Sequence, residues 1–275
     1  MGFLVLTVLS NCMISIMMRV SAGKTGKNLS VLSVNYLVCC LLGIVYGGAD
    51  RAVFSLPGFS ATAWLGLISG VLYLASLLCF QRNTKKHGIV LSSVFMKLGL
   101  LVPFVLSVTL FREMPSAVQI AGFFIALFAI VMINWEKGGK RFGFGLILML
   151  LVNGSADVMA KFFRVYGVGS EETYLLITFG TAFVLCSALA IFKKERPGYK
   201  ELLYGALIGI PNFFSSKFFL GALQKLPAVV VYPTVNVAAM LIVTLVGVLV
   251  FRERLRKLQW FALAAIIAAL VLLNI

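Results

Sequence analysis

Seven polar residues lie within the middle part of long apolar runs, and two tyrosines lie on the same runs, where all nine could bind a ligand. If the runs cross a membrane, an ionisable side chain within them costs about 2.5–3.5 kcal/mol to insert and normally faces protein or water. Asparagine and tyrosine at such depth hydrogen-bond either a ligand or a neighbouring helix. The candidate substrate-binding residues are therefore Asn11, Tyr73, Lys97, Asn153, Asp157, Asn212, Lys217, Tyr232 and Asn236.

Each of these residues also has a purely structural interpretation. A single mid-span asparagine holds helices together about as often as it binds a ligand. Lys97 and Lys217 lie too deep for their ammonium groups to reach the headgroups easily. Asp157 and Lys217 have nearly equal predicted depths, and we expect them to form an ion pair. Lys97 would then remain a cation without a partner, which favours an anionic or zwitterionic ligand.

The same residue types do not support catalysis. Hydrolysis within a membrane needs paired acids, a serine with a base, or a metal cluster. The only deep acid is Asp157, and the only histidine, His87, lies in a basic segment. The sequence has no H-E-x-x-H, G-x-S-x-G or phosphate-binding loop, and its five cysteines form no metal-type C-x-x-C. We therefore predict a protein that is not an enzyme and uses no cofactor or metal.

The composition identifies the elements that must position these residues. Of 275 residues, 61% are hydrophobic and 12% are charged, and the mean hydropathy is +1.05. Soluble, disordered and fibrous classes are excluded, and long apolar runs without period-two alternation disfavour a membrane β-barrel. We predict an all-α membrane protein, a single membrane domain with ten transmembrane helices over 2–20, 29–49, 60–80, 88–111, 115–134, 142–163, 172–192, 202–222, 228–250 and 257–274.

The net charge of +15 is distributed unevenly among the predicted loops. Seventeen of the 24 lysines and arginines lie in loops that follow odd-numbered spans, and four lie in loops that follow even-numbered spans. Because cytoplasmic loops carry the excess of positive charge, this bias predicts a multi-pass protein of the cell membrane with both termini outside. The charge is thus a topology signal and an anchor for anionic lipid, and it does not indicate nucleic-acid binding.

The two halves of the chain repeat each other weakly. Placing 86–135 over 226–275 matches ten of fifty positions, including Phe111-Arg112-Glu113 on Phe251-Arg252-Glu253. Gly66…Gly70 similarly resembles Gly205…Gly209. Each half, 1–135 and 142–275, has five spans, and an odd number forces the second copy to enter the membrane inverted. Inverted repeats place a binding site between the copies near the midplane. We expect Glu113 and Glu253 to be structural.

These features resemble the EamA-type members of the drug/metabolite transporter superfamily. The resemblance rests on the acid after the fourth helix of each repeat, on Pro103 and Tyr232-Pro233-Thr234, and on first-helix patterns that begin at Asn11 and Asn153. It implies a secondary transporter that works by alternating access, with a small-molecule substrate and the lipid bilayer as partners. It also implies a central cavity between helices 1, 3, 4, 6, 8 and 9.

The resemblance leaves the substrate open. An amino acid or organic acid is favoured, and the alternatives are a multidrug or cation exporter and a lipid-linked sugar flippase. The direction of transport, coupling to a proton or another ion, and the oligomeric state also stay open, although a monomer is sufficient.

Overall fold

The computed structural model describes residues 1–22, 24–47, 57–87, 89–133, 143–250 and 257–275. These residues form eleven α-helices and no strand, which confirms the all-α prediction. The helices are α1 (Gly2–Ala22), α2 (Asn28–Gly47), α3 (Phe59–His87), α4 (Ile89–Leu98), α5 (Leu101–Thr109), α6 (Ala117–Ile133), α7 (Phe144–Tyr166), α8 (Glu171–Phe192), α9 (Tyr199–Lys225), α10 (Ala228–Leu249) and α11 (Lys257–Leu273).

Within the described residues, eight segments are long and apolar enough to cross a membrane. Seven of them are single helices, and the eighth consists of most of α4 together with α5. The apolar helices α6 and α11 have 17 residues each, at the short end of the range for a span. Large apolar side chains such as Val45 and Phe128 are exposed at 74% and 63%, as expected for surface that faces lipid. The chain is therefore a multi-pass membrane protein.

Helix α3 is longer than the sequence predicted. It continues through Arg82, Lys85 and Lys86 to His87, where a loop was expected after residue 80. No glycine or proline interrupts this stretch. Lys85 and Lys86 in its last turn also interact favourably with the partial negative charge at a helix C-terminus. The polar segment was thus mistaken for a loop because polarity alone does not end a helix.

The chain divides into two compact units, and the boundary between them falls within α3 and within α7. The first unit contains Met1–Leu74 and Met159–Gln224, and the second contains Ala75–Val158 and Lys225–Ile275. Each unit therefore combines segments from both predicted repeats.

In the first unit, α2 and α8 pack side by side and run antiparallel. Main-chain N–H groups at the start of α2 donate to Glu195, just beyond the end of α8. At the other end, a Cβ on Gly47 would lie 2.9 Å from Glu172 Cβ. Short side chains let further helices approach this pair: Gly70 of α3 lies against α8, and Gly209 of α9 lies against α2.

In the second unit, α6 and α11 pack closely and α5 and α10 complete a buried core. Ala126, Ala129, Ala262 and Ala269 are each 0% exposed, and their small side chains let the helix backbones approach. The rings of Phe104 and Phe123 stack with centroids 3.6 Å apart. The candidate binding residues of the second unit are not part of this core, and they lie on α4, α7 and α10.

Candidate functional site

The fourth predicted span is broken at its middle, beside a candidate lysine. Helices α4 and α5 replace the single helix predicted over 88–111. Pro103 explains the break because it has no backbone N–H to donate to the carbonyl of Gly99, four residues earlier. That carbonyl accepts instead from Val102 N at 3.0 Å in a tighter turn. Backbone that leaves the helix at membrane depth is tolerated only against protein or a water-filled cavity.

Asn153 of α7 joins a hydrogen-bond network around this break. Its Nδ2 donates to the main-chain carbonyl of Met96 at 3.1 Å, and its Oδ1 accepts from Ser76 Oγ at 2.8 Å. The backbones are so close here that a Cβ on Gly154 would overlap the carbonyl oxygen of Gly99. Asn153 therefore holds the broken span against α7 and α3.

Lys97 and Asp157 interact beside this network. Lys97 lies in the last turn of α4, where the helix C-terminus favours a cation. Its charge acts on the carboxylate of Asp157, which lies one turn along α7 from Asn153. Both charged side chains are only partly buried. The second unit thus contains an interacting acid and base next to a broken helix.

Two candidates on α10 complete this region of the second unit. Tyr232 donates its phenolic hydrogen to the main-chain carbonyl of Asp157 at 2.8 Å and is 1% exposed. Asn236 lies one turn further along α10, and its Nδ2 donates to the carbonyl of Tyr232 at 3.1 Å. Tyr232 thereby fixes α10 to α7 at the level of the acid.

Three candidates of the first unit make contacts between helices. The Oδ1 of Asn11 on α1 accepts from Ser215 Oγ on α9 at 2.9 Å. Asn212 Nδ2 on α9 donates to Asn35 Oδ1 on α2 at 3.1 Å, and the ring of Tyr73 stacks on Phe179 with centroids 6.4 Å apart. These contacts favour the structural interpretation, in which such residues hold helices together.

Lys217 does not have the partner that the sequence suggested. Its Nζ lies 2.8 Å from Glu172 Oε1, in the first turn of α8, instead of forming the expected ion pair with Asp157. It also lies 4.9 Å from the centre of the Tyr46 ring, at the end of α2. The long lysine side chain extends from α9 to the first turn of α8. The position of Lys217 along α9 did not predict this partner, because the ammonium group lies several ångströms from the backbone. The argument for Lys97 as a cation without a partner is corrected too, since its charge acts on Asp157.

Sequence reasoning also missed the acids at the start of α8. Glu171 forms an ion pair with Arg164, which additionally donates to the carbonyl of Leu220 from Nε at 2.9 Å. Together with Glu172 and Lys217, these residues form a charged cluster at one end of the first unit. The signal was present, because Ser170 followed by two glutamates is a typical helix start, but the segment was interpreted only as a polar loop.

Glu113 of the repeated motif has the structural role that was predicted for it. Its two carboxylate oxygens accept from Ala228 N at 3.0 Å and Val229 N at 2.8 Å, which caps the start of α10. Arg112 just before it adopts a left-handed conformation with φ of 54°, which turns the chain out of the preceding helix. The matching Arg252-Glu253 lies outside the described residues.

A multi-span helical bundle with an ionisable pair beside a broken span is typical of membrane transporters. Comparison with known proteins agrees with this class. Residues 142–275 match the model of the EamA-like transporter family. This match lies in the second half of the chain and supports the resemblance to the drug/metabolite transporter superfamily that the motifs suggested.

Two similar proteins cover nearly the whole chain. A Haemophilus influenzae protein named only "Uncharacterized protein" is 24% identical over 281 residues, which span 96% of this chain and 95% of that one. A solved crystal structure with 18% identity covers 98% of this chain and 94% of its own, with a TM-score of 0.74. At that identity the structural likeness concerns the fold alone.

Proposed function

We propose that this protein is a secondary transporter of a small polar metabolite, with an amino acid favoured over an organic acid. One observation carries the proposal: the interacting Lys97 and Asp157 beside the break between α4 and α5. Ionisable residues are expensive within a span and mark substrate or ion pathways when they occur there. Discontinuous helices at membrane depth form the substrate sites of many secondary transporters.

The balance of charge supports a zwitterionic substrate. With Lys97 protonated and Asp157 ionised, the pair has no net charge and adds little uncompensated charge to the membrane interior. A zwitterion keeps this balance, because its carboxylate binds Lys97 while its ammonium group binds Asp157. An organic acid adds one negative charge, which a proton on Asp157 would cancel. Transport of an organic acid should therefore be coupled to protons, whereas transport of an amino acid need not be.

Contacts within each unit support alternating access by inverted repeats. The second helix of one proposed repeat packs antiparallel to the second of the other, as α2 and α8. The fifth helices pack in the same manner: a Cβ on Gly122 of α6 would lie 2.9 Å from Leu272 Cβ near the end of α11. A two-fold axis in the membrane plane relates equivalent helices in this antiparallel way.

The repeated glycine motifs make equivalent contacts as well. Gly66 and Gly70 pack α3 on α8, while Gly205 and Gly209 pack α9 on α2. In repeat terms, the third helix of each copy packs on the second helix of the other. This reciprocity is what the inverted arrangement requires.

The test begins with a thermal-shift screen of the purified protein against amino acids, organic acids, amines and nucleosides. A ligand that binds the folded state raises the melting temperature. The compounds found are then assayed for uptake into proteoliposomes. Lys97→Ala should lower uptake by at least about ten-fold. This factor corresponds to the smallest free energy usually lost with a hydrogen bond to a charged group. Lys97→Arg should keep part of the activity, because it retains the charge.

Lys217→Gln is the matched control. It removes a second lysine that the sequence placed deep within a span, and that is paired with Glu172 in the first unit. We expect uptake by Lys217→Gln to stay within a few-fold of wild type. Full uptake by Lys97→Ala, or an equal loss in both variants, would exclude the proposed site. Uptake of quaternary amines by Lys97→Ala would indicate a cation exporter instead.

A further inference from the structure

We infer that the first unit carries a binding site for the headgroup of an anionic phospholipid, formed where two loops meet. The loop between α1 and α2 contributes Lys24 and Lys27. The loop between α8 and α9 and the start of α9 contribute four more basic residues. All six are exposed, and they are called the basic patch below: Lys24, Lys27, Lys193, Lys194, Arg196 and Lys200.

Hydrogen bonds hold the two loops together. Lys27 Nζ donates to the carbonyl of Arg196 at 3.0 Å. Ser30 Oγ donates to the carbonyl of Glu195 at 3.4 Å, and Lys24 Nζ lies 5.8 Å from the centre of the Tyr204 ring on α9. The tertiary structure therefore builds the patch from two segments that are distant in sequence: Lys27 and Arg196 are 169 residues apart.

The acids of these loops do not neutralise the patch. Glu195 Oε2 accepts from Leu29 N at 3.2 Å and from Ser30 N at 3.4 Å, so its carboxylate caps α2. Glu201 is 8% exposed, and its Oε2 accepts from Gly198 N at 2.9 Å. Both carboxylates are bound to main-chain N–H groups, whereas the six basic side chains face outward.

The backbone helps to separate the two charges. Lys194 has a φ of 56° at the end of α8, where its N–H donates to the carbonyl of Ile191 and the N–H of Glu195 donates to that of Ala190 at 2.9 Å. This is the usual helix-ending motif, with lysine where glycine is common. The turn directs the chain so that Glu195 reaches the start of α2.

Apolar side chains next to the patch select a lipid over a soluble phosphate. Ile191, Phe192 and Tyr199 are 76%, 84% and 79% exposed, and they flank the basic residues on the same segments. Acyl chains would cover these apolar side chains while the basic groups bind the phosphate. A basic segment at an anionic membrane surface gains about 1 kcal/mol for each lysine or arginine.

The test is a competition experiment on the full-length protein, by native mass spectrometry in detergent. Phosphatidylglycerol and phosphatidylcholine are added in equal amounts, and the bound fraction of each is measured. We expect wild type to prefer phosphatidylglycerol. The variant Lys24→Gln/Lys193→Gln/Lys200→Gln should lower this preference by at least about five-fold, the factor that a single lysine contributes.

The control removes the same number of exposed charges from the second unit, as Arg82→Gln/Lys85→Gln/Lys86→Gln. It should keep the preference of wild type. Equal binding of the two lipids by wild type, or an equal loss of preference in both variants, would overturn the inference. Displacement of phosphatidylglycerol by inorganic phosphate alone would also overturn it, since the patch would then bind soluble anions.

Discussion

Lys97 and Lys217 show that depth in a span does not identify the partner of a charged residue. Both lysines lie within apolar segments of the sequence, and only the structure shows that they interact with different acids. Lys97 acts on Asp157 beside the broken span, whereas Lys217 extends to Glu172 at the start of α8. A lysine stem extends for several ångströms, so its ammonium group can meet a residue that lies at a different depth from its own Cα.

Glu113 gives a prediction at the scale of one residue. Glu113→Ala removes both acceptors of Ala228 N and Val229 N. The loss of such a cap costs about 1–2 kcal/mol, so the variant should melt at a lower temperature in detergent, whereas Glu113→Gln should lose less because it keeps one acceptor. The neighbouring Met114 is 87% exposed, and Met114→Ala serves as the control. Equal melting of wild type and Glu113→Ala would show that the cap does not stabilise the protein.

At the scale of the element, helix contacts depend on a few short side chains. A Cβ on Gly70 would lie 2.5 Å from Thr181 Cβ, and one on Gly209 would lie 2.8 Å from the carbonyl oxygen of Asn35. In lipid, close packing and interhelical hydrogen bonds replace the hydrophobic effect as the main force between helices. These two glycines therefore determine how closely α3 and α9 approach α8 and α2.

Glycine substitutions test this role. Gly70→Leu and Gly209→Leu force a large side chain into a packed contact, which costs about 1–3 kcal/mol. Both variants should melt at a lower temperature than wild type. Gly180, in the middle of α8, has no atom within 4 Å of an added Cβ. Gly180→Ala should therefore melt at the same or a higher temperature, because alanine favours a helix over glycine by up to about 1 kcal/mol. Destabilisation by Gly180→Ala alone would contradict this account.

At the scale of the whole molecule, the orientation in the membrane rests on the charge of the loops. The bias of basic residues predicts that both termini and the turn after α5 are outside, and that the turn after α8 is inside. The Gly66 and Gly70 contacts and the Gly205 and Gly209 contacts agree with inverted halves, but they do not define which side is outside.

Cysteine labelling in intact cells tests this orientation. Single cysteines replace Gly2, Met114, Lys193 or Ile275 in a variant without the five native cysteines. An impermeant maleimide should label positions 2, 114 and 275 directly and position 193 only after the cells are permeabilised. The reverse pattern would invert the topology. Labelling of positions 114 and 193 from the same side would contradict the ten-span interpretation.

Composition and apolar run length were enough to predict a helical membrane protein and most helix boundaries. The transporter class was implied by the family resemblance, and the structural role of Glu113 was inferred from the repeated motif. The helical class and the spans follow from local physics, because apolar length determines a span. The tertiary structure decided the partners of Lys97 and Lys217 and the helix contacts of Asn11 and Asn212. It also decided that the basic loop after α1 contacts the basic loop after α8. Each of these depends on which helices are neighbours and how far a side chain reaches. A single sequence does not contain that information in any local pattern.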